Sequence, residues 1–178
     1  MIWISYASAV CAISAVWLLL RAVTAIRSGR VVWKREAQLL LVYICVIVVA
    51  RFTFFPFSKV DGQIQPLLFD AALAFPPRIN LLPFVYMTEY PTAGEIVLNF
   101  VGNSAMFIPV GVIWPAVYRE LRTHGRAITA GIGFSLCIEL LQLPFYDRVT
   151  DIDDLILNTL GYLAGYGILL LVRRRCAK

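Results

Sequence analysis

The chain has 178 residues, 60% of them apolar and only 15% charged, with a formal net charge of +5 and a mean hydropathy of +0.78. Soluble domains run at about 45–50% apolar and about 25% charged, and a fold of this length leaves too much surface in water to hide the excess. These figures exclude a soluble domain and a disordered chain; four cysteines, three of them in apolar runs, exclude a secreted disulfide scaffold. An all-α integral membrane protein is the class that fits.

A spanning helix needs about 20 mostly apolar residues. Ile2 to Leu20, Ile96 to Tyr118 and Leu155 to Val172 are free of charge for 19, 23 and 18 residues. Two further spans are conditional. One runs from Ala37 to Phe55 only by taking in Arg51; the other runs from Ala127 to Phe145 only by taking in Glu139. About five transmembrane helices are therefore predicted. The N-terminus lacks the basic region of a cleaved signal peptide, so Ile2 to Leu20 is expected to stay as an anchor.

Orientation follows from the basic residues of the loops. The loop after the first span, the loop after the third and the C-terminus together hold 12 Lys and Arg, against four (Arg51, Lys59, Arg78, Arg148) on the other side. The expectation is an N-terminus outside and a C-terminus in the cytoplasm, with the basic side facing anionic lipids rather than nucleic acid. Nine of the 11 acidic residues fall on the opposite, outer side. Cys11, Cys45, Cys137 and Cys176 have no metal-binding or redox spacing, and His124 reads as a solvated loop residue.

The outer loop from Pro56 to Glu95 holds Phe57, Phe69, Phe75, Phe84, Tyr86 and Tyr90 among six prolines (Pro56, Pro66, Pro76, Pro77, Pro83 and Pro91). It is too apolar for a solvated linker and too broken by proline to span, so interfacial or re-entrant pieces are expected. Anchoring at headgroup depth and contact with a ligand are both open to its aromatic residues.

Ionisable groups inside a membrane are expensive and mark function by default. Counted back from Phe55 and Phe145, Arg51 and Glu139 fall about 6 and about 9 Å into the outer leaflet. Gly131, Ser135, Glu139 and Gln142 share one face of the fourth span; Asn99 and Asn103 are one turn apart on the third. Asp151, Asp154, Asn158, Gly161 and Gly165 form an unbroken stripe at spacings of three and four. If these faces converge, they enclose a pocket with Arg51, Asn99, Asn103, Glu139, Gln142, Asp154 and Asn158 inside and Arg148 and Asp151 at its rim. The competing reading is that the amides glue helices together, at about 0.6 kcal/mol per bond. The carboxylates of residues 151–154 also suit a helix start, with Thr150 or Asp151 as cap. Carboxylate oxygens would suit Mg²⁺ or Ca²⁺, but no full ligand set is present and no metal or cofactor is expected.

Several segments, in order from about residue 50 to 168, resemble the VanZ-like membrane proteins. They are Arg51 with Phe55-Pro56-Phe57, Asn80-Leu-Leu-Pro-Phe84, Asn99-Phe-Val-Gly-Asn103 leading to Phe107-Ile-Pro-Val-Gly111, then Ser135, Ile138-Glu139, Gln142, Arg148, Asp151 to Asp154, Asn158-Thr-Leu-Gly161 and Gly165. The expected organisation is an anchor and basic loop over 1–36, a VanZ-like membrane domain over 37–172 and a basic tail over 173–178. The resemblance implies a role in the bacterial cell envelope at the plasma membrane, the best-known member lowering susceptibility to the lipoglycopeptide teicoplanin.

Three functions are weighed on this basis. An outer pocket could bind an amphiphile, either a lipoglycopeptide or a lipid-linked wall precursor, through Arg51 and Arg148. A membrane enzyme could use Glu139 or Asp154 as acid or base on a lipid or wall precursor. Transport is disfavoured by the lack of a repeat and of polar residues in the inner half of the spans.

Overall fold

A computed structural model describes residues 1–55, 59–85 and 92–176. The chain is mostly helical, and it divides into two compact units, Met1–Phe69 and Asp70–Lys178.

The first unit holds an antiparallel pair of helices, α1 (Tyr6–Ser28) and α2 (Trp33–Phe54). Ser5 starts α1 by accepting the amide of Ser8 at 3.1 Å, and Gly29 ends it in the left-handed region at φ 64°, where its amide meets the Ala25 carbonyl. The first helix thus begins later and ends later than its charge-free stretch. Arg27 in its last turn complements the helix dipole, so a basic residue does not stop the helix. Ile2–Ile4, expected inside that span, form strand β1 instead, antiparallel to β4 (Leu67–Phe69). Between them in sequence, β2 (Lys59–Val60) and β3 (Gln63–Ile64) make a hairpin whose turn, Asp61-Gly62, has positive φ at both residues.

One face of α1 meets α2 through a short series of specific contacts. The hydroxyls of Ser14 and Tyr43 are 2.6 Å apart, the Trp17 and Tyr43 rings lie 5.1 Å apart, and Arg21 forms an ion pair with Glu36. Tyr6 stands edge-on to Phe55 at 5.3 Å.

The second unit is built on α3 (Ala93–Val117), α4 (His124–Gln142) and α5 (Ile152–Cys176). α3 and α5 run parallel and pack backbone against backbone. A Cβ on Gly161 would overlap the Ser104 carbonyl, one on Gly165 the Ile108 carbonyl, and one on Gly111 the Tyr162 carbonyl. The small-residue motif Gly161-x-x-x-Gly165 is therefore a true contact face. α4 lies antiparallel to both, its Gly131 making room for the ring of Tyr162. Phe107, Val110, Ser135 and Tyr162, all fully buried, form the centre of this bundle.

The helices α1, α2, α3 and α5 are long and apolar enough to cross a membrane; α4, with 19 residues that include Arg126, Glu139 and Gln142, falls short of that measure. α5 runs on to Cys176 because Arg173, Arg174 and Arg175 in its last turn suit the negative helix end. α4 ends at Gln142 rather than Phe145, so Glu139 lies three residues, about 4.5 Å of helix rise, before its end.

The described part of the 56–95 loop is strand and turn. Beyond the hairpin and β4 come a 3-10 turn over Ala71–Ala74, capped by Asp70, and β5 (Ile79–Asn80). The short ladders satisfy backbone groups that proline prevents a helix from pairing. Phe57, Tyr86, Tyr90, Pro56 and Pro91 lie outside the described residues.

Candidate functional site

At the end of the bundle where α4 finishes and α5 begins, four separate segments bring polar side chains together. Their framework is a parallel pairing of β5 with β6 (Thr150–Asp151), which sets Asn80 opposite Asp151. The strands are held in register by the Thr150 amide on the Arg78 carbonyl at 3.1 Å. Arg78 in turn donates to the Tyr146 and Phe145 carbonyls at 2.8 and 2.5 Å, tying this strand to the α4–α5 connection.

Asp151 is the hub of the helix start. Its carboxylate accepts from Asn80 Nδ2 at 3.1 Å through both oxygens and from the Asp153 amide at 2.9 Å. The second bond is that of an N-cap, so the capping role weighed for this residue is real. Asn80 Oδ1 meanwhile accepts the Leu82 amide at 3.1 Å, closing an Asx turn. Asp153 performs a similar task for the neighbouring loop, its two oxygens 3.1 and 3.0 Å from the amide of Phe84, a residue held at φ 62°.

Glu139 lies beneath this framework and is 2% exposed. Its Oε2 accepts the Asp151 amide at 3.1 Å, and its own carbonyl accepts the Thr150 hydroxyl at 2.8 Å. One residue thus ties the last turn of α4 to the start of α5. Gln142, one turn further along α4, is buried as well.

On the α3 side, Asn103 Nδ2 donates to Asp154 Oδ1 at 2.5 Å and lies 3.4 Å from Asn99 Oδ1. Deeper in the bundle, Asn158 Nδ2 donates to Ser135 Oγ at 3.1 Å, with both residues buried. Arg148 is half-buried in the α4–α5 connection. Burial pushes its guanidinium below the usual arginine range, and the negative charges of Asp147 and Asp154 oppose that fall.

The structure therefore gathers Asn99, Asn103 and Asp154 in one hydrogen-bonded group and Glu139 and Asp151 in a second, with Asn158 on Ser135 deeper in the bundle, Arg148 close to Asp154 and Gln142 buried one turn beyond Glu139. Arg51 belongs to the first unit. There its guanidinium lies 5.7 Å over the Tyr6 ring and 5.5 Å over that of Phe52, and donates to the Phe55 carbonyl at 3.3 Å.

Asn80, Asp153 and Thr150 were absent from the residues predicted for the site. The signal for Asn80 was present in Asn80-Leu-Leu-Pro-Phe84, where an asparagine two residues before an open amide favours an Asx turn. Its partner Asp151 lies 71 residues away and comes beside it only through the parallel strand pair. Among the described residues no group of three or more His, Cys, Asp or Glu side chains has the geometry to hold a metal ion.

The cluster mixes carboxylates, amides and one arginine, at one end of a bundle closed elsewhere by glycine contacts. Such a surface accepts hydrogen bonds from hydroxyl, amide and amino groups, and offers a guanidinium to an anionic group. No curated protein and no solved structure matches the chain. A family model described as VanZ/LLP1 matches residues 40–173, about three quarters of the sequence, and takes in most of α2 and the whole polar cluster. The chain belongs to the VanZ/LLP1 family and is a VanZ-like, multi-pass membrane protein of the cell envelope.

Proposed function

We propose that the protein binds the polar head of an amphiphile, a lipoglycopeptide or a lipid-linked wall precursor, at the cluster formed by α3, the end of α4 and the start of α5. The supporting observation is that Asn103, Glu139, Asp154 and Asn158 lie toward one end of a bundle in which α3 and α5 are long and apolar enough to cross a membrane. Inside a membrane such groups are expensive, and the resemblance to VanZ-like proteins, whose best-known member lowers susceptibility to teicoplanin, supports an amphiphilic ligand of this class. In this reading the bundle stands in the bacterial plasma membrane with the Asp154 end outward and the C-terminus in the cytoplasm. The excess of Lys and Arg in the α3–α4 connection and after α5 supports that orientation.

The chemistry divides among the residues. Asp151 and Asp153 are occupied by capping and loop contacts and act as scaffold. Asp154, Asn99 and Asn103 take hydroxyl and amide groups of the head, and Arg148 takes its phosphate or carboxylate. The acyl chain then lies along the lipid-facing side of the helices.

A paired susceptibility test in a sensitive host decides the matter. Teicoplanin is compared with vancomycin, which lacks the acyl tail, for wild type, Asp154→Asn, Glu139→Gln and Arg148→Ala at matched membrane levels. Protection specific to the acylated drug and lost in the variants is the expected result. Protection retained by all three overturns the cluster as the binding site.

A second reading is catalytic and rests on Glu139, a carboxylate only 2% exposed and joined to the Asp151 amide beside Asp154. As acid or base it would act on a bound lipid or wall precursor. Mass spectrometry of lipid extracts separates this reading from binding: an altered lipid that disappears in Glu139→Gln favours catalysis, and unchanged extracts favour binding alone.

A further inference from the structure

α5 presents a hydrogen-bonding side chain once per turn on a single face: Asp154, Asn158, Tyr162 and Tyr166 are spaced four apart. Side chains at this spacing are neighbours, and the series covers about 18 Å of helix rise. Asn158, Tyr162 and Tyr166 are 1%, 0% and 5% exposed, so the face points into the bundle. This overturns the expectation that the inner half of the spans carries no polar group. Tyrosine passes as apolar in a hydropathy count, yet its hydroxyl both donates and accepts.

Both ends of the series are connected to other elements. Asp154 is joined to Asn103 of α3, and Asn158 to Ser135 of α4. At the far end the Tyr166 hydroxyl lies 2.6 Å from the Arg122 carbonyl and 3.3 Å from His124 Nδ1, with the His124 and Tyr166 rings edge to face at 5.7 Å. His124 itself is exposed. Between the ends, Asn158 Oδ1 and the Tyr162 hydroxyl are fully buried and have no hydrogen-bond partner among the described residues. Polar atoms so placed in a membrane bundle are too costly to leave unsatisfied, and ordered water is the usual answer where several polar groups surround it.

We propose that this face is a hydrated proton path through the α3–α5 bundle, joining the surface at His124 to the carboxylates at the Asp154 end. A proton taken up by the His124 imidazole passes to a water or to the Tyr166 hydroxyl, which releases its own proton onward. Tyr162 repeats the exchange, water at Asn158 carries it on to a carboxylate oxygen of Asp154, and Asp154 releases it to the water at that end of the bundle and so is ready for the next. Each hydroxyl accepts one proton as it gives up another, so no group on the path changes its charge except the two termini. The charged groups flanking the path are Glu139, Asp151, Asp153 and Arg148 at one end and Arg122 and Arg173 at the other. Arg122 is held on the Pro115 and Ala116 carbonyls and Arg173 on the Pro115 carbonyl.

The test uses the full chain in sealed vesicles of phosphatidylethanolamine and phosphatidylglycerol that enclose a pH-sensitive dye, with a potassium diffusion potential as driving force. Wild type is expected to acidify the lumen faster than protein-free vesicles. Tyr162→Phe, which keeps the ring and removes the hydroxyl, and Asn158→Leu are expected to return the flux to the protein-free rate. Leu160→Ala, on the lipid-facing side, leaves it unchanged. Water-edited solid-state NMR on the wild type supplies a readout that needs no variant, with rapid transfer from water to Tyr162 expected. Wild-type flux equal to that of protein-free vesicles, undiminished flux in Tyr162→Phe, or transfer to Tyr162 as slow as to Leu160 each overturns the path. None of these results bears on drug protection, so binding at the cluster is judged separately.

Discussion

The two units use helices of similar apolar character in opposite ways. α1 has 23 residues, none of them buried, and meets α2 through a few side chains such as Ser14, Trp17 and Arg21. α5 has 25 residues and buries seven, among them Gly161, Gly165 and Asn158, against the backbones of α3 and the face of α4. Lipid is as apolar as leucine, so leucine-rich surfaces give no reason for one helix to seek another. Close backbone approach and internal hydrogen bonds do. The polar site grows where those two features coincide.

The largest expected effect is on the glycine seam. Gly161→Leu drives a side chain into the Ser104 carbonyl and is expected to cost about 3 kcal/mol or more, seen as loss of a cooperative melt in detergent. A normal melt would show that α3 and α5 do not depend on this approach. Next in size is Asn80→Ala, which strips the Asp151 carboxylate of two hydrogen bonds. A loss of about 1.5–3 kcal/mol is expected, with faster amide exchange over 79–84 as the local signature.

In the first unit the effects are smaller. Arg51→Ala removes the cation from the Tyr6 and Phe52 rings and is expected to cost about 0.5–2 kcal/mol in the same melt. Ala15→Leu, on the exposed surface of α1, is expected to change stability by no more than about 0.5 kcal/mol. A large loss at Ala15 would erase the contrast between the units, because it would show α1 to be closely packed as well.

Hydropathy and charge were enough to place the helices, since the cost of carrying charge into lipid is local to each segment. They misplaced the ends by three to eight residues at α1, α4 and α5. The reason is that arginine belongs at a helix C-terminus, and that Leu143-Pro144-Phe145, though apolar, lies past the last turn of α4. The stripes of Asn99 and Asn103, of Ser135 and Glu139, and of Asp154, Asn158, Gly161 and Gly165 were equally legible, because helical periodicity writes a face into the spacing.

Which faces meet is another matter. The pairing of Asn80 with Asp151 depends on a parallel strand contact between two dipeptides, too short to leave a pattern in the chain. The Tyr162 hydroxyl, the Tyr166–His124 contact and the use of Asp151 as a cap depend on how α4 and α5 are set against each other. The sequence by itself determined a membrane protein, its helices and the polar and glycine stripes they carry. Only the tertiary structure decided which stripes join, because partners many residues apart are chosen by packing and by the need to satisfy every buried polar group.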